Sequence, residues 1–252
     1  MVKPDHTPAF TARHGTTGGV TLRVEEDAEA LARAAAAWLL ARAQATAGVF
    51  RIALSGGTTP RRLYEILATA PFAARFPWAR TIVFWGDERC VSQDDPLSNY
   101  GMARQALLDH VPIPAGQVHP AYRDGTPEAA ARAYDAQLRQ SYGAALLEAG
   151  RPLFDVVLLG LGTDGHTASL FPGTAGLTER EAWVTAVTRG VPQPRLTLTY
   201  PAINASAAVL FLVSGADKAE PLRLVLAGDS TLPATWVRGP EVVWFVDQAA
   251  SG

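Results

Sequence analysis

Short apolar runs of strand length alternate along the chain with longer amphipathic or alanine-rich segments. The apolar runs are residues 20–24, 49–54, 81–85, 154–159, 182–188, 195–199, 207–213 and 242–246. Helical patterns cover residues 27–47, a segment from about residue 60 onward, and residues 98–109, 127–149 and 216–227. Strands separated by helices are typical of an open α/β sheet. The nearly continuous apolar run at 154–159 also favours a parallel strand with helices on both of its faces.

This pattern predicts a single-domain α/β protein with an open, mostly parallel sheet flanked by helices, Rossmann-like and doubly wound. We assign residues 1–252 to this one domain, with residues 1–18 as a loosely ordered N-terminal segment. The pattern does not order the strands, and it leaves antiparallel edge strands open.

Composition and charge narrow the functional classes. Apolar residues make up 48% and charged residues 18% of the 252-residue chain, which excludes an intrinsically disordered protein. The 22 basic and 24 acidic residues give a net charge of −2, which argues against nucleic acid as a partner. The sequence has no run apolar and long enough to span a membrane, no signal-peptide pattern and one cysteine, Cys90. We therefore expect a cytoplasmic protein without membrane or nucleic-acid partners.

A glycine-rich segment follows the predicted strand 49–54. In open α/β sheets, ligands bind beyond the carboxyl ends of the strands. Residues 55–60 (SGGTTP) lead from this strand into a helix, so their backbone N–H groups suit an anion such as phosphate. A tight turn with Thr59 as helix cap explains the segment equally well. It matches neither the dinucleotide fingerprint nor the P-loop, which disfavours a nucleotide here.

Two acids and an arginine follow the predicted strand 81–85. In residues 85–89 (WGDER), Asp87 is suited to orienting a substrate and Arg89 to holding its phosphate. Taken alone, the segment fits a surface cluster of salt bridges better. The adjacent Cys90 has no histidine base nearby in the sequence, and we interpret it as a small, partly buried packing residue.

The segment 160–173 (GLGTDGHTASLFPG) carries the most informative pattern. Its glycines frame Asp164 and His166 at the carboxyl end of a predicted strand. A neutral imidazole can act as a base near neutral pH. The other histidines are scattered, and with a single cysteine the sequence has no metal-binding signature.

Lys218 and Arg195 are further candidates for binding an anion. Lys218 opens the predicted helix 216–227 and is one of two lysines, against 20 arginines. A point charge for a phosphate and an ordinary surface lysine both fit this position. Arg195 is the weaker candidate because it begins its predicted strand.

These segments together resemble the 6-phosphogluconolactonase family. The matching segments are 55–60, 85–89, 98–100, 160–173, 195–199 and 215–218, in the order found in that family. The run Asp-Gly-His-Thr-Ala-Ser-Leu-Phe-Pro at 164–172 is its most specific motif. The related glucosamine-6-phosphate deaminases share the Asp-Gly-His core but differ downstream of it, and they have tyrosine at the position of Arg89.

The resemblance implies hydrolysis of 6-phospho-D-glucono-1,5-lactone to 6-phospho-D-gluconate in the oxidative pentose phosphate pathway, without a cofactor or metal. His166 is expected to be the general base on water, with Asp164 orienting the loop or the imidazole. The partner is then a small sugar-phosphate lactone, and the protein a monomer or weak homo-oligomer. The residues expected to bind the substrate and its phosphate are Ser55, Gly56, Gly57, Thr58, Asp87, Arg89, Arg195 and Lys218.

Two rival functions stay open. A sugar-phosphate isomerase or deaminase on the same scaffold would use Asp87 as a base on carbon and release ammonia from an amino sugar phosphate. A non-catalytic sugar-phosphate sensor would keep the binding residues and would not need His166. Loss of the lactone above its spontaneous rate, and the dependence of that loss on His166, would separate the three functions.

Overall fold

The computed structural model describes residues 19–252, and most predicted elements appear near their predicted bounds. The strands are β1 Gly19–Glu25, β2 Phe50–Leu54, β3 Thr81–Trp85, β4 Asp87–Arg89, β5 Val156–Leu159, β6 Val184–Val187, β7 Arg195–Leu198, β8 Val209–Val213 and β9 Glu241–Asp247. The α-helices are α1 Ala28–Ala45, α2 Thr58–Leu67, α3 Phe72–Arg75, α4 Asn99–Ala106, α5 Pro127–Tyr142, α6 Tyr200–Asn204, α7 Ala219–Leu226 and α8 Gln248–Ser251. The expectation for residues 1–18 lies outside the described residues.

Six of these strands form one sheet in the order β1-β9-β8-β5-β2-β3. Every neighbouring pair in this sheet is parallel. The central strands β5 and β8 are buried along their whole length, as expected of strands covered on both faces. The predicted fold class, a single-domain α/β protein with an open and mostly parallel sheet, is confirmed.

A second sheet of three antiparallel strands, in the order β4-β7-β6, stands apart from the main sheet. The sequence predicts no strand at the position of β4, and it does not predict that β6 and β7 belong to a second sheet. In the observed register, Asp87 of β4 pairs with Thr197 of β7 and Arg89 pairs with Arg195. The small sheet therefore brings charged residues from two distant segments side by side.

The helix predicted at residues 127–149 is shorter than expected. Thr126 caps its start by accepting a hydrogen bond from the N–H of Ala129. The helix ends at Tyr142 because Gly143, at φ +82°, takes the left-handed conformation that terminates helices.

Three other helix boundaries also differ from the prediction. The helix expected from about residue 60 begins at Thr58. The helix expected at 98–109 ends at Ala106 and is followed by a 3-10 turn. The helix expected at 216–227 begins as a 3-10 turn, Ala216–Lys218, before α7. Among residues 19–252, no helix has the length and apolar character needed to cross a membrane.

Candidate active site

A pocket of about 290 Å³ opens at the carboxyl edge of the main sheet. The loops after β2, β5 and β8 meet there with β4 and the start of β7. Asp164 does not line this pocket but hydrogen-bonds to the side chain of His166, which does. The other predicted site residues lining it are Ser55, Gly56, Gly57, Thr58, Asp87, Arg89, Arg195 and Lys218. The fold therefore brings all the predicted site residues to one edge of the sheet.

The N-terminus of α2 forms one wall of the pocket. Gly57 is its cap residue, at φ +106°, and no side chain caps the helix. Thr59, the helix cap in the alternative interpretation of this segment as a tight turn, lies inside the first helical turn instead. Because no side chain satisfies them, the N–H groups of this turn are suited to hold an anion.

Asn99 is a pocket residue that the sequence analysis did not select. A Cβ atom on Gly56 would lie 1.9 Å from its Oδ1 atom, so only glycine allows the amide to pack here. The Nδ2 atom of Asn99 donates to the backbone carbonyl of Asp87 at 2.9 Å. The available signal was the matching segment 98–100, in which the side chain of Ser98 caps α4 and so fixes Asn99 at the first helical position.

Two buried tyrosines hold the ends of neighbouring strands beneath the pocket. The hydroxyl of Tyr64 accepts from the N–H of Ser55 at 3.0 Å and donates to the carbonyl of Ser55 at 2.8 Å. The hydroxyl of Tyr134 makes the same pair of bonds with Trp85, at 2.7 and 3.1 Å. Burial raises the pKa of both tyrosines above its ordinary value, so both hydroxyls stay protonated.

His166 and Asp164 form a hydrogen-bonded pair at the pocket. Nδ1 of His166 lies 2.5 Å from Oδ1 of Asp164, which also accepts from the backbone N–H of His166 at 3.1 Å. Partial burial would raise the pKa of Asp164, but these hydrogen bonds outweigh it and hold the pKa below its ordinary value. The ionised carboxylate therefore favours the tautomer with the proton on Nδ1, which leaves Nε2 free to accept a proton.

The imidazole has little room to move. A Cβ atom on Gly162 would lie 2.0 Å from Nδ1 of His166, so the ring packs directly on this glycine. The ring of Phe171 lies 4.3 Å away, measured between ring centroids. The ring is thus held by contacts on two sides and by the carboxylate of Asp164.

A strained turn follows His166. Ala168 has φ +48°, and among residues 19–252 no other non-glycine residue has a positive φ. The next residue, Ser169, is buried, and its N–H donates to Oγ1 of Thr197 at 3.1 Å. Its hydroxyl donates to Oδ2 of Asp87 at 2.6 Å. These bonds to β4 and β7 oppose a strain of about 1–3 kcal/mol, of the kind found at functional sites.

Cationic side chains outnumber carboxylates along the pocket. Nη1 of Arg195 lies 3.9 Å from Oδ2 of Asp87. Burial, together with the nearby charge of Arg89, lowers the pKa of Arg195. The buried Nε atoms of Arg89 and Arg195 make no hydrogen bond within the described part of the chain. The remaining cation, Lys218, pairs with Asp217 at 3.0 Å. The guanidinium groups of Arg89 and Arg195 therefore retain hydrogen-bond capacity for an anionic ligand.

Arg195 lines the pocket although it is the first residue of its strand, β7. Because β7 runs antiparallel to β4, its first residue lies beside the last residue of β4, Arg89. The beginning of β7 therefore reaches the same edge as the carboxyl ends of the parallel strands.

Glu88 is buried and has a structural role. Its carboxylate accepts the backbone N–H groups of Arg89, Asn99 and Tyr100, each at 2.7 Å, and the hydroxyl of Ser98 at 3.2 Å. Burial raises its pKa despite these bonds. Glu88 thus anchors the start of α4 to β4, and the segment 85–89 is not a surface cluster of salt bridges.

Cys90 does not have the properties of a nucleophile. It is half-buried, and burial together with the charge of Glu88 raises the pKa of its thiol to about 11. The thiol is therefore protonated near neutral pH, which agrees with the packing role predicted for it. Within residues 19–252, no group of three or more His, Cys, Asp or Glu side chains is arranged to hold a metal ion.

The fold and this pocket define a member of the open-sheet α/β enzymes, whose chemistry lies beyond the carboxyl ends of parallel strands. The family model described as glucosamine-6-phosphate isomerases/6-phosphogluconolactonase matches residues 26–244. The chain therefore belongs to this family.

Relatives and solved structures agree. A 6-phosphogluconolactonase of Nostoc sp. is 45% identical over 208 residues, covering 81% of this chain and 84% of the relative. One of Synechocystis sp. is 44% identical over 217 residues, covering 84% of this chain and 87% of the relative. The crystal structure of 6-phosphogluconolactonase from Thermotoga maritima is 31% identical, with a TM-score of 0.77, covering 91% of this chain and 100% of that one. The resemblance seen in the sequence is confirmed.

Proposed function

We propose that this protein hydrolyses 6-phospho-D-glucono-1,5-lactone to 6-phospho-D-gluconate, a step of the oxidative pentose phosphate pathway, with His166 as general base. One observation carries the proposal: His166, whose Nδ1 atom is hydrogen-bonded to Asp164, lines the same pocket as the uncapped end of α2 and three cationic side chains. A base at one point of a pocket and anion-binding groups at others match a substrate with a reactive carbonyl and a distant phosphate.

In the proposed mechanism, Nε2 of His166 takes a proton from a water molecule while Asp164 holds the Nδ1 proton. The water oxygen forms a bond to the lactone carbonyl carbon, and the carbonyl electron pair moves onto its oxygen. As this oxyanion collapses, the bond to the ring oxygen breaks, and the imidazolium returns its proton to that oxygen. The product acid then loses a proton to the solvent. A positioned base contributes about 10²–10⁴ in rate.

The phosphate is assigned to the anion-binding side of the pocket. The loop 55–58 with the first turn of α2 supplies N–H and hydroxyl donors, and Arg89, Arg195 and Lys218 supply positive charge. The buried guanidinium Nε atoms without protein partners support this assignment. Backbone N–H groups of the loop after β5 are suited to stabilise the oxyanion.

The proposed activity is tested by generating the lactone enzymatically in situ and following its loss against the spontaneous rate. We expect the protein to accelerate the loss of the phosphorylated lactone strongly and to release no ammonia from glucosamine 6-phosphate. Ammonia release without lactone hydrolysis would assign the protein to the deaminase branch of the family. Tight binding of 6-phosphogluconate without turnover of either substrate would identify a sensor.

A further inference from the structure

A second concave site lies outside the candidate active site. This groove, of about 550 Å³, shares no lining residue with the pocket around His166. Its volume is within the range of small-molecule sites. The side chains that give it chemical character are Arg180, Tyr200, Trp236 and Arg238. The groove therefore combines aromatic surface with positive charge.

Trp236 provides a fixed aromatic surface in the groove. Trp236 is 52% exposed, so much of its indole surface is accessible to a ligand. Its Nε1 atom donates to the carbonyl of Ser230 at 2.9 Å, so the ring is held in place although it is half open to solvent. An indole fixed in this way can stack against a planar ring without losing further side-chain freedom.

Two arginines on the groove are held by backbone carbonyls and not by carboxylates. Nη1 of Arg180 donates to the carbonyls of Leu177 and Glu179, both at 2.8 Å. Nη1 of Arg238 donates to the carbonyl of Thr235 at 2.5 Å. Within the described residues, neither arginine forms a salt bridge. Both keep their charge and further N–H donors for an anion.

The nearby carboxylates are already occupied. Glu179 accepts the N–H groups of the residues that follow it, Arg180, Glu181 and Ala182. Asp229 accepts the N–H and the hydroxyl of Thr231. Neither carboxylate lines the groove. The lining of the groove itself therefore holds two guanidinium groups and no carboxylate, which favours a ligand with negative charge.

The segment that forms one side of the groove, residues 230–236, also contacts the loop that carries His166. Leu232 packs against Gly165, where an added Cβ atom would lie 2.7 Å from its side chain. The N–H of Ala234 donates to the carbonyl of Gly165 at 3.0 Å. The hydroxyl of Tyr200, on the groove, donates to the carbonyl of Pro233 at 2.8 Å. A ligand in the groove thus rests on the segment that supports the residue before His166.

We propose that this groove is an effector site for a nucleotide. The base stacks on Trp236, and the phosphates bind Arg180 and Arg238, a combination that uses both the aromatic surface and the charge. Binding there changes the rate of the active site through the contacts of Leu232 and Ala234 with Gly165. A ligand can shift the loop only if its affinity differs between two loop arrangements.

The test uses ADP as the probe, with calorimetry on the full chain at about 0.15 M salt, where non-specific ion pairing is weak. We expect one ADP per chain, and at least tenfold weaker binding of adenosine, which lacks the phosphates, and of pyrophosphate, which lacks the base. Trp236→Ala should raise the Kd at least tenfold, in line with the worth of one stacked base. Arg238→Gln should also raise it at least tenfold, because it removes a charge-assisted bond to the phosphates. The control Arg223→Gln, an exposed arginine on α7, should leave the Kd unchanged.

A variant of the other pocket excludes binding at the active site. Lys218→Gln should leave the Kd for ADP unchanged, and saturating ADP should change kcat at least twofold in the native protein but not in Trp236→Ala. The calorimetric readout does not depend on the proposed activity. The effector site is refuted by absent binding, by pyrophosphate binding as tightly as ADP, or by ADP binding lost in Lys218→Gln. Binding in the groove with no change in kcat would refute the effector role.

Discussion

Replacing Gly162 by alanine tests whether the imidazole must lie where the structure has it. A Cβ atom on Gly162 would lie 2.0 Å from Nδ1 of His166 and 2.7 Å from Oδ1 of Asp164. An ordinary contact begins at 3.4 Å, so Nδ1 must move by about 1.4 Å (3.4 − 2.0). The backbone of residue 162 tolerates alanine, because its φ is outside the left-handed region.

The size of the effect follows from this displacement. A misplacement of about 1 Å in a reacting group costs about 10² in rate, or about 2.7 kcal/mol in transition-state free energy. We therefore expect Gly162→Ala to lower kcat about 100-fold. KM for the phosphorylated lactone should change less than threefold, because the groups assigned to the phosphate are unchanged. The melting temperature should stay close to that of the native protein, since His166 is only partly buried.

The assay is the loss of the lactone, corrected for its spontaneous hydrolysis. Gly116→Ala is the control, because a Cβ atom there would have nothing within 4 Å and the residue lies outside the pocket. This control should keep kcat within about threefold of the native value. If kcat of Gly162→Ala also stays within threefold of the native value, the position of the imidazole does not govern the rate.

Three further predictions concern the anion-binding groups and the stability of the fold. Lys218→Ala and Arg195→Ala should each raise KM at least tenfold for the phosphorylated lactone and change it little for unphosphorylated glucono-1,5-lactone. An equal rise in KM for both lactones in initial-rate assays would contradict the phosphate assignment. Glu88→Ala should lower the free energy of unfolding by about 3 kcal/mol, because it leaves buried N–H groups unpaired, and an unchanged urea midpoint would contradict this. Burial and the charge of Arg123 lower the pKa of His119, so its contribution to stability is complete above the unfolded value of about 6.5 and is lost as the pH falls through the folded value. His119→Gln should therefore weaken the fall in stability between pH 7 and 5, as measured by urea unfolding, and an unchanged slope would count against it.

The centre of the main sheet was predictable because its strands β5 and β8 are buried along their whole length. Residues 154–159 are apolar almost throughout, and a parallel strand without a polar face needs helices on both sides. The place of the site follows from the same topology, since the loops after parallel strands meet at one edge. This is why segments as distant as 55–58, 166 and 218 lie around one pocket.

The small antiparallel sheet was not predictable in the same way. Its strand β4 consists of three charged residues, Asp87–Arg89, with neither an apolar run nor an apolar alternation. It forms because β7, more than 100 residues away, supplies its hydrogen-bond partners. The position of Arg195 depends on this pairing. From the sequence alone it was the weaker candidate for binding an anion, although it lines the pocket.

Contacts between side chains and distant backbone segments could not be predicted from the sequence either. The packing of Asn99 on Gly56 and the bonds of Tyr64 and Tyr134 to the strand ends join segments whose proximity only the fold determines. The end of α5 is different, because Gly143 is a common termination signal and was visible in the sequence. Alanine-rich composition beyond that glycine extended the predicted helix too far.

The role of His166 as the base on water is tested most directly by measuring the hydrolysis of saturating phosphorylated lactone by His166→Gln, alongside the affinity of the same variant for 6-phosphogluconate. If His166 is the base on water, the rate falls at least 10²-fold toward the spontaneous value while the affinity for the product stays within threefold. A variant that hydrolyses the lactone at the native rate would contradict it.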